Sequence, residues 1–182
     1  MQDLTIVGVV ASPQPGGRTA TALSAMLAGA EAAGATTRLV ELADASLEEV
    51  TALMDGADAV VFGSPVYRAS YSAHLKQLLE RTERGRHGEG TAPLRGKATA
   101  LVMTGASGHH FLATDGLRAV LATFFAAQTL SPALYLDHKD FTEDKGLAPG
   151  AEELARTHGT ALVDLTAAVR TSVSLRGLEP LV

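Results

Sequence analysis

Leu4-Thr5-Ile6-Val7-Gly8-Val9-Val10-Ala11-Ser12-Pro13-Gln14-Pro15-Gly16-Gly17-Arg18-Thr19-Ala20-Thr21 is the stretch that decides the fold. Its first seven residues form an apolar, β-branched run too short and too continuous for an amphipathic helix, so they read as a buried strand. Two prolines and two glycines then keep the chain open, and a helix begins near Arg18 or Thr19. Leu23, Met26, Leu27 and Ala30 follow at i, i+3, i+4 and i+7, one face of that helix. Strand, open loop and helix together make one βα unit.

The same alternation continues along the chain. Strand-like runs recur at Thr36 to Leu42, Ala57 to Phe62, Ala98 to Thr104 and, more weakly, Ala133 to Leu136. Tyr71, Leu75, Leu78 and Leu79 form a helical stripe, and a further helix is expected from about Thr114 to Ala127. Leu154, Ala161, Leu162, Leu165 and Val169 share one face of a long closing helix. Five βα units fit the length and predict a doubly wound, right-handed parallel sheet in three α/β/α layers, with the flavodoxin-like strand order 2-1-3-4-5. Gly85 to Gly96 and Asp137 to Gly150 read as long loops within one domain over residues 1–182.

Composition narrows the chemistry. The 182 residues include 15 basic and 20 acidic side chains, a net charge of −5, no cysteine and no tryptophan. Without cysteine there is no disulfide, thiolate zinc site, iron–sulfur cluster or Cys nucleophile. A negative net charge does not supply the basic face that nucleic acid requires, so no nucleic-acid partner is expected. No apolar run approaches the roughly 18 residues that span a bilayer, and no basic segment precedes the first strand as in a signal peptide, so the expected setting is cytoplasmic.

In an open α/β sheet, ligands bind beyond the carboxyl ends of the strands, near the switch point between strands one and three. Three loops therefore carry the reading. In the first, Ser12, Thr19 and Thr21 offer hydroxyls, Arg18 offers a guanidinium suited to phosphate oxygens, and the helix start at Arg18-Thr19-Ala20 offers amides and the positive dipole end. This outlines a cradle for a monoester phosphate. It lacks the Gly-Lys-Ser/Thr ending of a nucleoside-triphosphate loop and the G-x-G-x-x-G of a dinucleotide fold.

The second loop, Gly63-Ser64-Pro65-Val66-Tyr67-Arg68-Ala69-Ser70-Tyr71-Ser72, reads as a rigid turn that lies flat against an aromatic ring. Amides after Pro65 are available to the ring's polar edge. Tyr71 fits the helix stripe, which leaves Tyr67 the freer tyrosine. In the third loop, Thr104-Gly105-Ala106-Ser107-Gly108-His109-His110, small residues bring backbone amides close to a ligand. The His pair has no third ligand at a metal-site spacing, and Gly105-Ala106-Ser107-Gly108 is not a G-x-S-x-G nucleophile elbow. No convergent pair of carboxylates is visible either, so no metal and no protein catalytic group is assigned. The three loops describe a surface for a flat, phosphorylated heterocycle.

Ala11-Ser12-Pro13 with Arg18-Thr19, and above all Gly63 to Lys76, closely resemble the NAD(P)H-dependent FMN reductases of the flavodoxin-like superfamily. The likeness continues through Thr104-Gly105, Leu112 to Asp115 and Val120-Leu121. The late Ser174-Leu175-Arg176-Gly177 is similar to the tail of the alkanesulfonate-system reductases. The resemblance implies that FMN is bound with its phosphate at Ser12, Arg18, Thr19, Ala20 and Thr21, and its ring against Pro65, Val66, Tyr67, Arg68, Ser70, Thr104, Gly105 and Ser107. It also implies NADPH or NADH as hydride donor, a homodimer or homotetramer, and a partner monooxygenase that uses the reduced flavin. Because flavin carries the redox chemistry, no protein acid or base is required. Gln14, Gly17 and Ala11 depart from the family pattern and leave this cradle with fewer charge and side-chain donors. The same framework would also suit an FMN-dependent quinone, azo or metal-oxyanion reductase, or a flavodoxin-like electron carrier. A carrier fits less well, since the chain has no Trp wall and only Thr19 and Thr21 as threonines in the loop.

Overall fold

The computed structural model describes residues 3–180; residues 1–2 and 181–182, the two ends of the expected domain, lie outside the described residues. The elements follow as β1 (Thr5–Val10), α1 (Arg18–Ala32), β2 (Thr36–Glu41), α2 (Leu47–Gly56), β3 (Ala59–Pro65), α3 (Ala73–Arg81) and β4 (Ala98–Thr104), then α4 (Ala113–Phe124), β5 (Gln128–Thr129), β6 (Leu134–Leu136), α5 (Pro149–Thr171) and α6 (Val173–Arg176). The strands are parallel in the order β2-β1-β3-β4-β5, with β6 also on β4, so the expected order 2-1-3-4-5 is present.

Continuous burial explains the continuous apolar runs, because helices cover both faces of the sheet. Ile6, Val10, Val61, Ala100 and Val102 meet Leu23, Met26 and Leu27 of α1 and Ala155 and Leu162 of α5. On the other face Val7, Val9, Val60, Phe62, Leu101 and Met103 meet Met54 of α2, Leu75 and Leu78 of α3, and Leu117 and Leu121 of α4. Glycines set the closest approach on the first face. A Cβ on Gly159 of α5 would run into the Met26 carbonyl, and a Cβ on Gly29 of α1 into the Arg156 carbonyl. The two helices therefore touch backbone to backbone.

Several expectations are corrected. Gly63-Ser64-Pro65 is the end of β3 and not a turn, since these residues pair with Val102, Met103 and Thr104. Pro65 takes the last strand position, where a missing N–H does least damage. Tyr71 stands outside α3: Ser72 is the N-cap, accepting from the Leu75 amide, although Tyr71 still packs on the same core face. The fourth helix ends at Phe124 rather than Ala127, and the chain passes at once into β5, which pairs with Ala98 and Thr99. The fifth position of the sheet is thus shared by β5 and β6 on either side of Pro132. Pro149 is not a loop residue but the first residue of α5, where its fixed φ suits a helix start.

Far from the switch point, the Lys97 ammonium caps α2 by donating to the Met54 and Asp55 carbonyls at 2.8 and 2.6 Å. Burial holds its pKa below the usual lysine range.

Candidate functional site

The first strand ends at Val10, and the chain crosses the carboxyl end of the sheet before α1 begins. Gly17 is the N-cap of α1 but supplies no side-chain bond, and the first turn holds no acid. Contrast α2 and α3, whose caps Ser46 and Ser72 accept from Glu49 and Leu75. The opening amides of α1 are thus left to whatever lies beyond the sheet, with the positive end of the helix dipole behind them. Higher in the loop the Gly16 amide donates to both carboxylate oxygens of Glu41, each at 3.1 Å, which ties the crown of the loop to the end of β2. Gly16 is at φ +65, a left-handed conformation that suits glycine.

Two hydroxyl networks lock the loops together beneath the surface. Ser72 Oγ donates to the Ala11 carbonyl at 2.6 Å while accepting from Leu75, which pins the second loop to the first. Buried Ser64 donates to the Pro65 carbonyl and accepts from the Ser72 amide. Thr19 and Thr104 share a buried hydroxyl–hydroxyl bond of 2.7 Å. Either hydroxyl can be the donor in this bond, so Thr19 is tied to the third loop while it also lines the cleft.

The amides after Pro65 also differ from expectation. Val66 N–H is bonded to the Thr104 carbonyl, and Tyr67 and Ser70 exchange backbone bonds across a two-residue turn. Arg68 and Ala69, the central residues of that turn, have φ of +52 and +60, the pattern of a type I′ hairpin turn. Their amides, not those of Val66 and Tyr67, are the ones without an assigned backbone partner.

In the third loop Gly105 N–H donates to the Leu136 carbonyl, and the Tyr135 hydroxyl donates to the Ser107 carbonyl at 2.7 Å. A Cβ on Gly105 would collide with that tyrosine. Burial pushes the Tyr135 hydroxyl above its ordinary pKa, with Asp137 adding to the shift, so it stays a donor at neutral pH. His109 and His110 are exposed, and His109 faces Ser107 Oγ at 3.4 Å.

These segments enclose a cleft of about 510 Å³ lined by Ser12, Gly17, Arg18, Thr19, Pro65, Val66, Tyr67, Thr104, Gly105, Ala106, Glu143 and Lys145. Eight of the residues singled out from sequence, Ser12, Arg18, Thr19, Pro65, Val66, Tyr67, Thr104 and Gly105, meet there. Five do not line it. Ala20 is buried, Thr21 turns back toward the Gly17 carbonyl at 3.4 Å, Arg68 and Ser70 stand exposed on the turn, and the Ser107 carbonyl is taken by the Tyr135 hydroxyl. The Arg18 guanidinium sits 5.3 Å over the Phe141 ring, which gives this cation a fixed support at the mouth of the cleft.

Sequence reasoning missed Gly17, Ala106, Glu143 and Lys145. Gly17 and Ala106 lay inside loops already under consideration. Glu143 and Lys145 belong to the Asp137 to Gly150 segment, which follows the last strand of the sheet and so emerges at the same carboxyl end. That placement was the available signal.

The cleft fits a flat heterocycle bearing a phosphate. It joins uncapped helix amides and a guanidinium to an extended apolar wall at Pro65, Val66 and Tyr67 and to the small residues of the third loop. Among the described residues, no helix is long and apolar enough to cross a membrane.

Comparison with known proteins agrees with this geometry. Residues 4–141 match the NADPH-dependent FMN reductase family. The chain is similar to the NADH-dependent FMN reductase SfnF of Pseudomonas putida, 33% identical over 113 residues that make up 62% of this chain and 57% of that protein. It thus spans little more than half the length of that relative. A solved apo structure of the NADH:FMN oxidoreductase EMOB superposes with a TM-score of 0.78 over 96% of this chain and 95% of that one, at 23% identity. A flavodoxin-type WrbA-like protein from Agrobacterium tumefaciens superposes with a TM-score of 0.70 at 22% identity, over 91% of this chain and 99% of that one. Those two likenesses concern the fold.

Proposed function

We propose that this chain, which belongs to the NADPH-dependent FMN reductase family, binds FMN in the cleft and serves its reduction by NADPH or NADH. The observation that carries the reading is the uncapped start of α1 opening, with Arg18, into the same cleft as Pro65, Tyr67 and Gly105. When bound, FMN supplies the hydride-accepting chemistry.

The chain's own residues do the rest. The amides at the start of α1, Ser12 and Arg18 hold the phosphate, and the Thr19–Thr104 bond fixes the floor beneath it. Pro65, Val66 and Tyr67 form the wall for the ring. Tyr135 holds the third loop in place through Ser107. No acid or base among them needs to move a proton, which suits a site that orients two cofactors.

The resemblance of the motif residues to the alkanesulfonate-system reductases supports a role in supplying reduced FMN to a partner monooxygenase in the cytoplasm. Exposed Tyr67, Phe111 and Leu112 favour self-association into a dimer or tetramer. The test is steady-state oxidation of NADH and NADPH with free FMN as the sole acceptor. Turnover that rises with added FMN is expected. Turnover that requires a quinone, azo dye or metal oxyanion, or none at all, would replace this reading.

A further inference from the structure

Residues 141–147 form a small, tightly tied hairpin on the rim of the cleft. Phe141 and Leu147 pair as an antiparallel bridge, Thr142 N–H donates to the Gly146 carbonyl at 2.9 Å, and Lys145 N–H to the Thr142 carbonyl at 3.0 Å. The Thr142 hydroxyl and Gly146 amide both donate to Asp144, and the hydroxyl's bond, with the amide's behind it, holds that carboxyl below its ordinary pKa. The base is fixed too, since Phe141 is buried in the α1/α5 face and Leu147 packs on it. The tip delivers Glu143 and Lys145 to the cleft wall. Lys145 holds φ at +68, a conformation in which glycine or asparagine is the ordinary choice. A lysine kept in that conformation by a locked turn, at the wall of a cleft, points to a use for its side chain.

The charged residues lining the cleft are Arg18, Glu143 and Lys145. Arg18 lies over Phe141, the residue from which the hairpin springs, and Lys145 of the hairpin tip lines the same cleft. A phosphate monoester carries about 1.5 to 2 negative charges at neutral pH, more than one guanidinium offsets. We propose that Lys145 is the second cation for the flavin phosphate and that, with Arg18, it makes the cleft select FMN over riboflavin. The proposal rests on the FMN reading above. The family match ends at residue 141, just before the hairpin tip.

The test is titration of flavin emission against wild type, Lys145→Asn, Lys145→Arg and Glu143→Gln, each with FMN and with riboflavin. Asparagine tolerates the left-handed backbone, and a thermal melt verifies that the variant folds. Lys145→Asn is expected to raise the Kd for FMN about ten-fold and to leave riboflavin within about two-fold, as for loss of one charge-assisted contact. Lys145→Arg is expected to restore the preference, and Glu143→Gln to keep or increase it. Equal losses for both flavins, no loss for FMN, or a changed choice between NADPH and NADH with FMN binding intact would overturn the proposal alone. A wild type that binds neither flavin would overturn the FMN reading itself.

Discussion

Thr19 Oγ1 and Thr104 Oγ1 stand 2.7 Å apart, joining the first turn of α1 to the last residue of β4 beneath the cleft. Both residues are buried, at 3% and 8% exposure, so neither hydroxyl has water as a ready substitute. Replacing either by valine leaves the other unpaired, and each single variant is expected to lose about 1–3 kcal/mol in urea denaturation. The double variant is expected to lose less than the sum, because both polar groups leave together. Additive losses would show that the two hydroxyls do not depend on one another.

Ser72 performs two tasks at once, capping α3 and holding the Ala11 carbonyl. Ser72→Ala should therefore cost about 2–4 kcal/mol, a lost cap plus a buried acceptor left unpaired. Ser46→Ala removes only the cap of α2 and should cost about 1 kcal/mol. Equal losses in the two variants would mean that the Ala11 bond contributes nothing.

For Arg18→Ala, FMN binding is expected to weaken by about 1.5–3 kcal/mol while riboflavin binding barely changes. The comparison isolates the phosphate, since both flavins share the ring. The chain contains no tryptophan whose emission could report binding, so the titration follows the flavin's own emission. A similar loss for both flavins would relocate Arg18 to the ring end of the cleft.

Tyr67 is 51% exposed yet lines the cleft, a position suited to covering a ligand rather than filling a core. Tyr67→Ala is expected to raise KM several-fold with little change in kcat, as when stacking worth about 0.5–1.5 kcal/mol is lost equally in ground and transition states. Normal kinetics accompanied by a changed subunit count in sedimentation would make Tyr67 an interface residue instead.

Lys97 gives a pH signature. Burial lowers its folded-state pKa below the ordinary 10.5, so between those values the unfolded chain binds more protons than the folded one. Stability contributed through Lys97 therefore rises with pH across that window. Denaturation of wild type and Lys97→Met at several pH values up to about 10 should show their difference moving in favour of wild type as pH increases. A constant difference would remove the burial effect.

Much of this was legible in the residues. Ala98 to Thr104 is visible at its full length because a strand buried on both faces has no reason to alternate. The closing helix is equally plain from Leu162 and Val169. Other features depend on partners distant in sequence. Pro65 looks like a turn residue until β4 extends beside it, and Gln128-Thr129 has no strand signal apart from its pairing with Ala98 and Thr99. Thr19 reads as a free hydroxyl because its partner is 85 positions away. Glu143 and Lys145 look like ordinary loop charges until the hairpin carries them to the rim of the cleft. Local pattern reveals elements, whereas the assignment of a polar group to its partner is a long-range fact.

The glycine contacts between α1 and α5 have a mechanical consequence. With Gly29 against the Arg156 carbonyl and Gly159 against the Met26 carbonyl, α1 can neither roll nor slide without driving backbone into backbone. The helix that presents its opening amides to the cleft is thus a stiff anvil, fixed from behind. Accommodation to an incoming molecule is left to the Tyr67–Ser70 turn, whose four residues are exposed and have solvent beside them.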